Sequence, residues 1–217
     1  MNDRMQVQQE EVSQPISVWD WPLRLFHWLL ALAVAGLVMT GQQGGEAMVL
    51  HARLGYTVLG LLGFRLVWGF VGSKTARFRH FLASPAKALA YVRLSRDEKA
   101  RWLGHSPLGA YAVLLMLSLL LAQVLTGLIA DDEIAFTGPL AASVPGAWSA
   151  WATWYHKSIG KPALLLMIGL HLSAIAYYVI VLRIPLLGAM IFGKREIPGR
   201  SEEHTSELQS RFGISYA

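Results

Sequence analysis

The sequence contains no cysteine. That excludes disulfides, thiolate nucleophiles and cysteine-ligated iron–sulfur clusters, so any metal must rest on histidine, carboxylate or thioether groups. Charge is scarce as well. Only 15% of the 217 residues are charged, while 54% are hydrophobic and the mean hydropathy is +0.40, a balance foreign to soluble domains. The scarcity is concentrated in four windows. Residues 25–45 hold nothing ionisable except His27, residues 106–130 are uncharged throughout, and residues 162–182 hold only His171 and two tyrosines. The remaining window, 51–72, is interrupted by Arg53 and Arg65.

A bilayer core is crossed by about 20 helical residues, and backbone polar groups must be satisfied within it. Each window therefore predicts a membrane helix, near 22–41, 51–72, 106–130 and 158–183. The expected fold class is an all-α integral membrane protein, a four-transmembrane-helix bundle over residues 19–195, between a polar N-terminal tail (1–18) and a C-terminal tail (196–217). Buried helices of a soluble protein are the alternative, but so short a chain has little polar material to wrap four of them. The polar start "MNDRMQVQQEEVSQPISVWD" lacks a basic region followed by an apolar core, so no cleavable signal peptide is expected and the first span stays as an anchor. "RSEEHTSELQS", residues 200–210, looks like the translation of a sequencing adapter, and neither His204 nor anything after it is assigned a function.

Residues 74–101 carry eight Lys or Arg against Asp97 and Glu98, whereas Asp131, Asp132 and Glu133 open a loop with no basic residue before Lys157. The positive-inside tendency places the basic loop and both termini in the cytoplasm. With no recognisable nucleic-acid module, membrane topology explains that loop and no nucleic-acid partner is expected. Ser106 and Pro107 fit the cap and first position of the third span. Residues 84–102 mix apolar Ala88, Leu89, Val92 and Trp102 with basic groups, which suggests an amphipathic surface segment among the membrane lipids.

With this topology the histidines sort by depth. His27 lies near the inner end of the first span, His51 at the outer start of the second, and His156 at the outer start of the fourth. His171 follows fifteen residues later, roughly 22 Å away and about 60° around the axis. An outer pair, His51 and His156, and an inner pair, His27 and His171, thus arise at two levels from different helices. Imidazole is the natural axial ligand of haem iron, and the porphyrin supplies the other four nitrogens. Zinc would need further protein ligands that neither level offers. Interhelical hydrogen bonding or an ion pathway are the other readings of such histidines.

Charges within spans need partners. Arg65, about 21 Å beyond His51 on the same helix, suits an inner haem propionate or can snorkel to lipid phosphate. Arg24 has the same two readings, and Arg53 could serve the outer propionates. His105 sits at the inner face without a matching second histidine, and His80 is expected to be solvated. The glycines in and beside the spans allow close approach of helices or of a broad ring.

"VWDWPLRLFHW", "HARLGYTVLGLLGFRLVWGFVG", "LGHSPLGAY", "LTGLIADDEIAFTGPLA" and "HKSIGKPALLLMIGLHLSAI" together resemble the bacterial cytochrome b561 family, in the branch close to the b-type subunit of nickel-iron hydrogenases. The resemblance covers residues 17–195. It implies four helices holding two haem b groups (iron protoporphyrin IX), with bis-His ligation by His27 and His171 on the cytoplasmic side and by His51 and His156 on the periplasmic side. It also implies residence in the bacterial inner membrane. The fifteen-residue spacing on the fourth helix is often fourteen in relatives. Partners in this branch include a hydrogenase, a formate or thiosulfate enzyme, or a c-type cytochrome, and this chain is not expected to be a catalytic subunit.

Two filled axial positions leave an iron only electron transfer. The expected function is transmembrane electron transport in a respiratory chain between a quinone pool and a redox protein, with quinone or quinol as a substrate. A complete quinol oxidoreductase would require a proton acceptor, for which Asp131, Asp132, Glu133 and His105 are the candidates. A non-redox channel or transporter would need a polar pathway, against which the uncharged third span argues.

Overall fold

A computed structural model describes residues 16–101, 106–134 and 136–195; His105, most of both tails and the adapter-like stretch lie outside them. Four helical spans are long and apolar enough to cross a membrane. The first two are α1 (Trp21–Gln43) and α2 (Ala47–Val71). On one side of the membrane α3 (Phe78–Phe81), α4 (Pro85–Val92) and α5 (Arg96–Arg101) link α2 to α6 (Pro107–Ile129). The fourth span, 146–181, comprises α7 (Gly146–Trp154), a π-helical turn (Tyr155–Gly160), α8 (Lys161–Ala176) and a second π turn (Tyr177–Val181). A short α9 (Leu186–Phe192) follows.

The helix boundaries have local causes. Asp20 caps α1 by accepting from Leu23 N at 2.8 Å, with Pro22 in the first turn, where its missing N–H costs nothing. Ser106 caps α6 in the same way, through Gly109 N at 3.1 Å. Gly44 and Gly45 take φ of +66° and +54°, a left-handed turn that glycine enters freely. They let α2 start at Ala47, so His51 lies inside its first turns.

The fourth span extends far beyond the expected start near residue 158, and Pro162 explains how. Proline cannot donate to the carbonyl four residues back, and its ring crowds that group. The preceding turn opens to π geometry, and Lys161 N–H bonds to His156 O, so the helix runs on unbroken from Gly146. It ends where Arg183 adopts φ +55°, and Ile184, which directly precedes Pro185, is held away from helical geometry.

Ala33, Val34, Val58, Leu62, Leu120, Val124 and Leu164 bring all four spans into one core layer at mid-depth. Outside it, Leu32, Phe70, Leu166 and Ile180 are exposed, as apolar groups facing acyl chains must be. The ends of the bundle differ in charge. Strand β1 (Ile16–Ser17) pairs antiparallel with β2 (Lys194–Arg195), so the two ends of the membrane domain meet on one face. The basic segment belongs to that face: Arg96 Nε donates to Leu182 O at 2.8 Å, and the Tyr91 and Tyr178 hydroxyls lie 3.0 Å apart. In the amphipathic α4, Ala88 and Tyr91 are the buried residues, while Leu89 and Val92 are exposed.

Candidate functional site

The outer level is built from two helical hairpins. α1 and α2 form one, α6 and the fourth span the other, and each second helix carries a histidine toward the space between them. The His51 and His156 rings face each other with centroids 6.2 Å apart and an interplanar angle of 72°. Both Nδ1 atoms are engaged: His51 Nδ1–H donates to Leu37 O at 3.1 Å and His156 Nδ1–H to Gln123 O at 2.9 Å. A histidine whose Nδ1–H is bound to a carbonyl keeps the Nε2 lone pair for a metal, and its ring orientation is set.

These residues fit a haem. A metal–imidazole bond of about 2 Å on each side places two axial rings about 6 Å apart between centres, which is the separation seen here. A cavity of about 500 Å³ adjoins the pair, lined mainly by Val34, Leu37, Val58, Leu120, Val124 and Leu164 with Gly41, Gly55 and Gly127. Gly55 faces it without filling it, since a Cβ there would meet nothing within 4 Å. Among the described residues no three His, Asp or Glu groups converge. Donors come in pairs, which suits a macrocycle carrying its own four nitrogens and not zinc.

At the inner level His27 and His171 lie within electrostatic reach of each other. His27 Nδ1 is buried without a hydrogen-bond partner, unlike the Nδ1 atoms of the outer pair. His27 also packs edge-on against Trp28, with centroids 5.3 Å apart.

The three arginines singled out in the sequence occupy different settings. Arg65 is 2% exposed; its Nη2 donates to Ala76 O at 3.1 Å and its guanidinium lies 4.5 Å from the centre of the Phe78 ring. It thereby ties the segment after α2 to the bundle, near Asp20, which also accepts from Trp68 Nε1 at 3.0 Å and from the Ser73 hydroxyl. Arg24 Nη1 donates to Ile191 O, at the end of α9. Arg53 is exposed and does not line the outer cavity. His80, exposed in the basic segment, has its pKa lowered by desolvation and by the cations Arg79, Arg77 and Lys74; Arg79 Nε donates to its Nε2 at 3.3 Å.

Two sets of residues escaped the sequence reading. Lys157 and Lys161 line the outer cavity, and Lys157 pairs with Asp132 at 3.5 Å. Thr40 and Thr126 stand beside the two outer histidines, 3.2 Å and 3.4 Å from their Nδ1 atoms. A signal existed: the "TG" step recurs at 40–41 and 126–127, each near the outer end of an apolar span.

Comparison with known proteins agrees with this architecture. A protein of Rhizobium leguminosarum bv. viciae is 25% identical over 223 aligned residues, covering 87% of this chain and 92% of the relative. One from Azotobacter chroococcum mcd 1 is 29% identical, covering 83% and 88%. One from Azotobacter vinelandii is 32% identical over a shorter 125 residues, covering 45% and 51%. Each is named a probable Ni/Fe-hydrogenase B-type cytochrome subunit. The family model of prokaryotic cytochrome b561 matches residues 18–193, and with four spans and histidines paired between helices, the chain belongs to that family of membrane b-type cytochromes.

Proposed function

We propose that the chain is a dihaem b-type cytochrome carrying electrons across the bacterial inner membrane between the quinone pool and a redox partner protein. His51 and His156 hold the outer haem b, and His27 and His171 the inner one. The observation that carries this reading is the facing of the His51 and His156 rings at 6.2 Å with both Nδ1 atoms engaged. A haem held by each histidine pair would supply one-electron redox chemistry.

The chain's own residues do the rest. The Leu37 and Gln123 carbonyls select the tautomer and fix the rings. The apolar layer around Val58 excludes water between the two levels. Lys157 and Lys161 at the outer cavity, and Arg24 and Arg65 at the inner end, supply positive charge for propionates. The names of the relatives favour an oxidoreductase subunit such as a hydrogenase as partner over a soluble c-type cytochrome. The basic end of the bundle faces the cytoplasm, with both termini.

Haem content tests the proposal. Pyridine haemochrome analysis of the purified chain is expected to give two b-type haems, and His51→Ala or His156→Ala to remove one potentiometric component while His27→Ala removes the other. A value near zero with adequate haem supply overturns the reading. Loss of the same component from His51→Ala and His27→Ala overturns the pairing.

A further inference from the structure

The outer level carries a repeated device on the two helices that do not supply its histidines. In α1 the stretch is "LVMTG", residues 37–41; in α6 it is "QVLTG", residues 123–127. The carbonyl of the first residue accepts from a histidine Nδ1–H, the threonine three residues later lies against the same nitrogen, and the next residue is glycine. At each glycine a Cβ would stand 3.1 Å (Gly41) or 3.2 Å (Gly127) from the histidine Cε1, closer than an ordinary contact, so only glycine lets the ring seat fully.

The hydroxyl protons are already committed. Thr40 Oγ1 donates to Gly36 O and Thr126 Oγ1 to Ala122 O, both at 2.7 Å. Back-bonding of this kind is the ordinary fate of a threonine in an apolar helix, and alone it would explain each residue. It does not explain why both oxygens stand against the Nδ1 of facing histidines beside a glycine. With its proton given away, each oxygen offers the imidazole only lone pairs, so Nδ1–H is shared between a carbonyl and a hydroxyl oxygen.

On the dihaem reading, we propose that Thr40 and Thr126 are positioning residues of the outer haem, which add a second acceptor to each axial histidine and so lower that haem's reduction potential. An acceptor at Nδ1–H makes the imidazole a stronger donor, and a stronger donor favours the ferric state. The two threonines act on opposite ligands of one iron, so their effects have the same sign. His27 Nδ1 has no such acceptor, so that histidine lacks the device.

The test is redox titration of the purified holoprotein, resolving both haems, with electron paramagnetic resonance of the ferric form. Thr40→Val and Thr126→Val keep the shape and remove the hydroxyl. Each is expected to raise the outer potential by about a threefold change in the reduction constant, about 28 mV for one electron. The double variant should exceed either, the inner component should stay in place, and Thr→Ser at each position should restore the wild-type value. Loss of the outer haem in the valine variants with retention in the serine variants supports the same role, because only the hydroxyl distinguishes them from the native residue. An unshifted outer component in the double variant, or an equal shift of both haems, overturns the proposal. Absence of haem from the unmodified protein would instead overturn the dihaem reading itself.

Discussion

A histidine in a membrane span must satisfy two ring nitrogens where water is absent, and the four in this bundle do so unequally. His51 and His156 each give Nδ1 to a carbonyl and a threonine, whereas His27 Nδ1 is left alone. Their residue type and position along each span were legible, because each stands out against an otherwise apolar window. Their partners were not, since a carbonyl on a facing helix has no sequence signature. Arg65 makes the same point: a charge in a span asks for a partner, and only packing brings Ala76 O and the Phe78 ring to it. Replacing Arg65 with Met removes that donor from a buried carbonyl, a loss worth roughly 1–3 kcal/mol. Thermal unfolding in detergent is expected to show a lower Tm, and an unchanged Tm would refute this bracing role. On the dihaem reading Arg65→Gln also makes inner-haem reduction less favourable than in the native protein, because a nearby positive charge favours the added electron; an unmoved inner potential would leave Arg65 purely structural.

At the scale of the element, the π turn at Tyr155–Gly160 resolves the fifteen-residue spacing of His156 and His171. Fifteen α-helical steps leave two side chains about 60° apart and fourteen leave them about 40° apart on the other side. A π turn takes in about one residue more than an α turn, so the fifteen-residue spacing here approaches the geometry of fourteen α-helical steps. Gly160 and Gln123 hold the turn: Gln123 Nε2 donates to His156 O at 3.2 Å, and a Cβ on Gly160 would collide with the Gln123 amide. Deleting Ser158 should let the turn revert to α geometry with both histidines still facing the interior, and two haems should remain by pyridine haemochrome analysis. Loss of the outer haem on that deletion would show that the π turn is needed in its own right. The expected boundary fell near 158 because the apolar window opens only at residue 162. Whether a helix breaks or widens at proline depends on what packs beside it.

For the whole molecule, charge is divided between the two ends. The basic segment packs against the end of the fourth span, while Asp131, Asp132 and Glu133 lie at the opposite end, where Asp132 lines the outer cavity. On the proposed orientation the basic end faces the cytoplasm, as the positive-inside tendency expects. Because the native chain has no cysteine, single introduced cysteines report this without background. Ser143→Cys is expected to react with an impermeant maleimide from the periplasmic side of intact cells, and Ser95→Cys only after the membrane is opened. The reverse pattern would invert the topology and exchange the outer and inner levels.

The sequence by itself determined the membrane class, the number of spans, the placement of charge at the ends and the position of each histidine along its span, because these follow from one-dimensional quantities: run length, hydropathy and rise per residue. Tertiary structure decided how the helices are rotated and which groups meet across them. The carbonyls and threonines behind His51 and His156, the lysines lining the outer cavity and the widened turn before Pro162 all depend on azimuth about a helix axis. Spans that are apolar all round carry no hydrophobic stripe to reveal that angle. It is set by close packing at glycine and by the few polar groups that must find partners away from water.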